Sequence, residues 1–175
     1  MIFRVFLSIF LVLSSLSALS EKQLKTLQQI RDIAKTIPNK KGETFENTLS
    51  AICLTESSAG VNIIGDFKKG VPITKASLGA MQIQIATARF MGKVYKPIKW
   101  VNNLSDAKLA NRLLTDVNFS AIISAYYMRW LSDYRKSYYS AVSGYNGGLY
   151  NKKYYTRVAK NMKVVRAYVK KGLLK

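Results

Sequence analysis

Between Asp116 and Trp130 the side chains Phe119, Ile122, Ile123, Tyr126 and Trp130 return every three or four residues. That is the period at which an α-helix presents one face again, and it does not match the two-residue repeat of a strand. The segment is the most strongly amphipathic of the chain and predicts a buried central helix, with Asp116 as its N-cap rather than as a catalytic group. An aromatic stripe on a helix has to be covered, and the rest of the chain offers mainly further helices to cover it. Leu24, Leu27, Ile30, Ala34 and Ile37 mark one that ends at Pro38, and Leu104 to Leu114 another behind Ser105. A run opening at Ser77 enters a helix that ends near Gly92, with Met81, Ile85 and Ala88 on one face. A short helix runs to Ser143, and the last helix, from Asn161, carries Val164, Val165 and Tyr168 on one side. Only Val61 to Ala76, interrupted by Gly65, Gly70 and Pro72, loses the helical period and leaves room for a loop or a minor hairpin. The expected fold class is all-α (mainly α), and 175 residues suffice for one domain with a real core.

One helix of this set carries an anomaly. From Thr44 to Gly60 the stripe Phe45, Leu49, Ile52 and Cys53 continues onto Glu56, where an apolar residue would be usual. With Thr44 as N-cap, Glu46 in the first turn and Gly60 as the stop, Glu56 falls near the negative end of the helix dipole and toward the core. Burial and dipole both disfavour its charged form, so its pKa is expected above the usual carboxylate value, as suits a general acid.

Composition removes most other chemistry. There is no histidine and one cysteine, Cys53, so histidine-dependent triads, zinc clusters and internal disulfides are excluded, and no cofactor or metal is expected. The formal net charge of +19, from 28 Lys plus Arg against nine Asp plus Glu, predicts attraction to something anionic. Residues 1–20 read as an export signal: Arg4, then an apolar run from Phe6 to Leu13, then small residues around Ala18 and Ser20. The expected division is signal peptide 1–20 and domain 21–175, with cleavage before Glu21 or one or two residues earlier. The protein is expected to be exported and periplasmic, without stable membrane insertion.

Two further stretches are rich in ligand-compatible groups. Gly79 with Gln82, and Gly144-Tyr145-Asn146-Gly147-Gly148, combine positions that admit close backbone approach with amides that both donate and accept. Taken in order, Glu56-Ser57, Gly79-Ala80-Met81-Gln82-Ile83, Gly144 to Gly148 and Tyr154-Tyr155 resemble the soluble lytic transglycosylase family, with its goose-type-lysozyme-like fold. The resemblance spans roughly Phe45 to Val158. It implies a lysozyme-like domain with a substrate cleft in which Glu56 is the single catalytic acid. Tyr155 is the closest match to the tyrosine that orients that acid, with Tyr154 beside it as competitor. Ser57, Ser77, Met81, Gln82, Tyr145 and Asn146 are the implied substrate-binding set. Ala80 stands where the family usually has Leu, and the Val61 to Ala76 segment is longer than the family's common loop.

The resemblance also implies the reaction: cleavage of the β-1,4 bond between N-acetylmuramic acid and N-acetylglucosamine in peptidoglycan, leaving 1,6-anhydro ends. The implied partners are peptidoglycan glycan strands and no nucleic acid, for a monomer that can serve secretion or envelope machinery. A hydrolase on the same scaffold, with Asp66 holding a water, and a non-catalytic wall-binding protein are the alternatives.

Overall fold

The computed structural model describes residues 18–66 and 69–175. Most of the expected export signal lies outside the described residues. Among the described residues seven α-helices follow in chain order: α1 Glu21–Lys35, α2 Glu46–Ser57, α3 Ile85–Val94, α4 Asp106–Thr115, α5 Val117–Tyr134, α6 Tyr138–Tyr145 and α7 Lys152–Lys170. Two short strands, β1 Ile64–Gly65 and β2 Ser77–Leu78, pair antiparallel, with Ile64 opposite Leu78 and Gly65 opposite Ser77. The chain is thus mainly helical with one minor hairpin, as its periodicity predicts. No helix among the described residues is long and apolar enough to cross a membrane.

Helix α5 starts where expected, because the Asp116 carboxylate accepts the Phe119 amide at 2.9 Å and satisfies a free helix-end donor. Its buried Phe119, Ile123, Met128 and Leu131 pack among α1, α3, α4 and α6. Each such side chain withdrawn from water contributes about 1.5–3 kcal/mol. Helix α2 is enclosed still further, wedged between α1 and α7 and also touching α5. Its residues Thr48 to Cys53 are buried without a break, so it has no water-facing side there. Hydroxyls survive in this core by turning back on their own helix: Ser50 donates to the Glu46 carbonyl at 2.7 Å and Thr55 to that of Ala51 at 2.8 Å.

Two local expectations are corrected. Phe45, not Thr44, occupies the N-cap of α2, and no side chain caps that end. Burial of the Phe45 ring sets the entry angle of the chain, and its carbonyl accepts from Leu49 at 2.8 Å. The run from Ser77 does not enter a helix directly. It forms β2 and then a tight turn in which Leu78 and Ile83 exchange backbone hydrogen bonds of 3.1 and 2.9 Å, so that α3 begins only at Ile85.

The far end of the chain closes on the beginning. Arg31, almost fully buried on α1, donates to the Lys175 carbonyl at 2.8 Å and to Asn47 Oδ1 at 2.7 Å. One guanidinium therefore ties α1, the start of α2 and the last residue into a single unit.

Candidate active site

Helix α2 brings Glu56 to the surface in its last turn, half-buried. Beyond it the backbone turns left-handed three times, at Ser58 (φ 53°), Ala59 (φ 57°) and Gly60 (φ 84°). Only the glycine adopts that conformation freely, so Ser58 and Ala59 hold strain that their surroundings must offset. Ser57 supplies part of the compensation: its Oγ accepts the Gly60 amide at 2.8 Å and donates to the Ala80 carbonyl at 2.6 Å.

Helix α7 supplies the partner of the acid. Asn151 caps that helix by accepting the Tyr154 amide at 3.0 Å, and the Tyr154 hydroxyl donates to Glu56 Oε1 at 2.6 Å. One turn on, Arg157 donates to the Thr55 carbonyl at 2.8 Å, and Asn161 to Thr55 Oγ1 at 2.9 Å. The start of α7 is thereby fastened to the end of α2. Loss of hydration on burial pushes the Glu56 carboxyl above its ordinary pKa. The Tyr154 hydrogen bond and the Arg157 charge pull it back, and Asp66 pushes it up again, with the net direction upward. Burial and the adjacent Glu56 drive the Tyr154 phenol in the same direction, so it remains a hydrogen-bond donor.

Glu56 opens onto a cleft of about 380 Å³. The hairpin forms one wall, with Gly65, Asp66 and Ser77; the turn into α3 forms the floor, with Gln82, Ile83 and Gln84; Tyr145, Asn146 and Gly147 at the end of α6 form the other wall. Among the described residues neither Lys nor Arg lines it, and its two carboxylates are Glu56 and Asp66.

The structure brings five of the expected residues together here: Glu56, Ser77, Gln82, Tyr145 and Asn146. Ser77 donates to Asp66 Oδ2 at 2.9 Å, which holds that carboxylate against the hairpin. Gln82 is itself left-handed (φ 51°), and its amide donates to the Gly79 carbonyl at 2.9 Å and that of Asn62 at 3.2 Å, locking the floor. The Tyr145 hydroxyl lies 2.9 Å from Ser124 Oγ and 3.1 Å from the Met81 carbonyl, pinning the wall to the core. Asn146 Oδ1 accepts from Asn151 at 3.0 Å.

Three expected residues do not face the cleft. Ser57 is wholly buried and spends its hydroxyl on the helix end, as described above. Met81 is likewise 0 % exposed, a core side chain whose backbone carbonyl alone reaches the site region. Tyr155, the expected orienting tyrosine, turns away from Glu56 into an aromatic cluster, its ring edge-on to Tyr139 at 4.7 Å. Successive residues on a helix project roughly 100° apart, so only one of the pair can point at the acid, and it is Tyr154. Gly79 also serves the fold: at φ 75° it presses against the Leu113 backbone at the end of α4, where any Cβ would collide.

Sequence reasoning left Gln84, Thr87 and Tyr127 out of the cleft. Tyr127 had a signal, since it sits beside Tyr126 in the aromatic segment; its hydroxyl donates to the Gly144 carbonyl at 3.0 Å and holds the second wall. Gln84 and Thr87 carry no pattern that separates them from ordinary helix-start residues. Arg157 lies one turn beyond Tyr154, a spacing that places both against the same neighbour.

A family model described as Transglycosylase SLT domain matches residues 36–165, a span that holds every site residue named above. No curated protein and no solved structure matches the chain.

Proposed function

Because the chain belongs to the transglycosylase SLT domain family, we propose that it is a peptidoglycan lytic transglycosylase in which Glu56 acts first as acid and then as base. Protonated Glu56 gives its proton to the glycosidic oxygen as that oxygen leaves C1 of N-acetylmuramic acid. The resulting carboxylate then takes the proton from the C6 hydroxyl of the same sugar, whose oxygen bonds to C1 and closes the 1,6-anhydro ring. Glu56 ends as it began, and no water is consumed. Nucleophile and electrophile belong to one residue, and such pairs react at effective molarities of about 10⁵–10⁸ M, which replaces a second catalytic carboxylate.

The observation that carries this reading is the Tyr154 hydrogen bond to a half-buried Glu56 at 2.6 Å. Burial favours the protonated acid of the first half. The phenol and the nearby Arg157 steady the carboxylate of the second half. Gln82, Tyr145 and Asn146 offer the amide and aromatic surface that a sugar strand in the cleft needs. The substrate places the reaction outside the cytoplasm, with residues 1–20 as the export signal.

One observation favours a second reading. Asp66 lines the same cleft, held by Ser77, and a carboxylate opposite the acid can hold an attacking water as in an inverting hydrolase. Digestion of isolated sacculi by the purified chain, followed by mass spectrometry, separates the two. Anhydro ends support the transglycosylase, and reducing ends favour the hydrolase with Asp66 as base. The Glu56→Gln protein is expected to lose at least about 100-fold in cleavage rate, the scale of a general acid; cleavage at the original rate would mean that Glu56 is not the catalytic acid, and no cleavage by the parent chain would mean that the domain only binds.

A further inference from the structure

Among the described residues no Lys or Arg lines the cleft, whereas a second and larger groove gathers several. This groove, of about 470 Å³, lies at the opposite end of α2, between the α1–α2 loop, the α5–α6 turn and α7. The start of α2 stands about 15 Å from Glu56 along the helix axis, at 1.5 Å per residue. Lys41, Arg135, Lys136 and Arg166 line it, against a single carboxylate, Glu43. A smaller hollow of about 270 Å³ continues it, sharing Tyr138, Met162 and Arg166 and adding Tyr155 and Lys163. The ion pairs among the described residues join Arg89 to Asp106, Arg112 to Asp116 and Arg129 to Asp133, and use none of these five cations.

We infer that this groove binds the carboxylate-bearing peptide stems of the wall polymer, apart from the glycan strand in the cleft. The inference rests on peptidoglycan being the substrate, as proposed above. Its chemistry points to a peptide. Two guanidiniums and several ammoniums match multiple carboxylates, and Arg pairs with a planar carboxylate through two parallel hydrogen bonds. Phe45, Ala141 and Met162 form an apolar floor for the aliphatic parts of such a stem. The Tyr138 ring is held as a side wall by a 2.8 Å hydrogen bond between its hydroxyl and Thr48. Glu43, tethered by Asn39 at 2.7 Å, matches the free amine of a diamino acid and repels a uniformly anionic phosphate chain. Tyr155, unused by the acid, has its place here.

The test uses the purified chain and the stem peptide released from sacculi by an amidase, with inorganic phosphate and a carboxylate-capped form of the same peptide as comparison ligands. Lys136 and Arg166 are both exposed, so their joint reversal, Lys136→Glu with Arg166→Glu, leaves the core untouched; Lys163→Glu is a second, independent variant. The stem peptide is expected to bind by calorimetry and to weaken at least tenfold in the double reversal and severalfold in Lys163→Glu. KM on intact sacculi should rise severalfold at unchanged kcat, while cleavage of peptide-free glycan strands stays within twofold. Equal binding of the capped peptide, displacement of the peptide by millimolar phosphate, indifference of binding to the reversals, or an equal fall on peptide-free strands would each overturn the inference. The binding arm needs no turnover, so an active Glu56→Gln protein would remove the catalytic assignment and leave the groove to be decided by peptide affinity.

Discussion

Glu56 has to hold a proton and then release it, and its neighbours pull in opposite directions for that reason. Burial raises its folded pKa above the unfolded value, so the folded state binds the proton more tightly than the unfolded chain does. The stabilising contribution is complete below the unfolded pKa and is lost as pH rises through the folded one. At neutral pH the residue is a net cost. Glu56→Gln is therefore expected to melt higher than the parent protein at pH 7, with the gap closing below pH 4; a lower melting point at pH 7 would show that the carboxylate stabilises the fold. Tyr154→Phe removes a hydrogen bond that lowers the Glu56 pKa. The alkaline limb of its pH–rate profile should shift upward and its rate should fall about tenfold, the scale of roughly 1.4 kcal/mol. Tyr155→Phe should leave both near the parent values, and the reverse ranking would return the orienting role to Tyr155. Ser57→Ala strips the half-buried Gly60 amide and the buried Ala80 carbonyl of a shared partner, and a loss of about 1–3 kcal/mol is expected in denaturant titration. Glu56 was legible because a carboxylate interrupted an apolar stripe. The choice between Tyr154 and Tyr155 was not, since both are tyrosines and neighbours in sequence.

At the scale of elements, the caps of α4 and α5 were readable because Ser105 and Asp116 serve amides only three residues away. The stretch from Ser77 to Gln84 misled for an instructive reason. Met81, Ile85 and Ala88 do recur at helical spacing, but Met81 is buried by a turn that packs on the end of α4 and under Ser57. Coincident spacing imitated a helix, and tertiary contacts decided otherwise. Gly79 is the hinge of that turn, left-handed and against the Leu113 carbonyl. Gly79→Ala is expected to destabilise by about 2 kcal/mol or more, through both overpacking and backbone strain. A melting temperature unchanged by the substitution would mean that the turn yields freely. The floor of the cleft is formed by the residues just after Gly79, so glycan cleavage should fall along with stability.

Over the whole molecule, the charge of +19 is unevenly spread: among the described residues two carboxylates and no cation line the cleft, while the far groove gathers Lys and Arg. Exposed charges are screened once the Debye length falls below their separation, about 10 Å at 0.1 M salt and 3 Å at 1 M. Raising the salt over that range is expected to weaken retention on sacculi at least severalfold, with little change in turnover on short peptide-free strands. Equal loss of both would place the working charges at the cleft. Spacing and composition by themselves determined that the chain is helical, that histidine chemistry, thiolate metal clusters and internal disulfides are excluded, and that Glu56 is the residue to examine. Those are properties of contiguous residues or of the inventory, and they need no knowledge of what lies across the core. Only the tertiary structure decided that Tyr154 meets Glu56, that Ser57 and Met81 turn inward, and that Asp66 and Asn146 face one cleft. Each of those outcomes depends on how one helix is rotated against another, and that rotation is set by contacts between residues far apart in the chain.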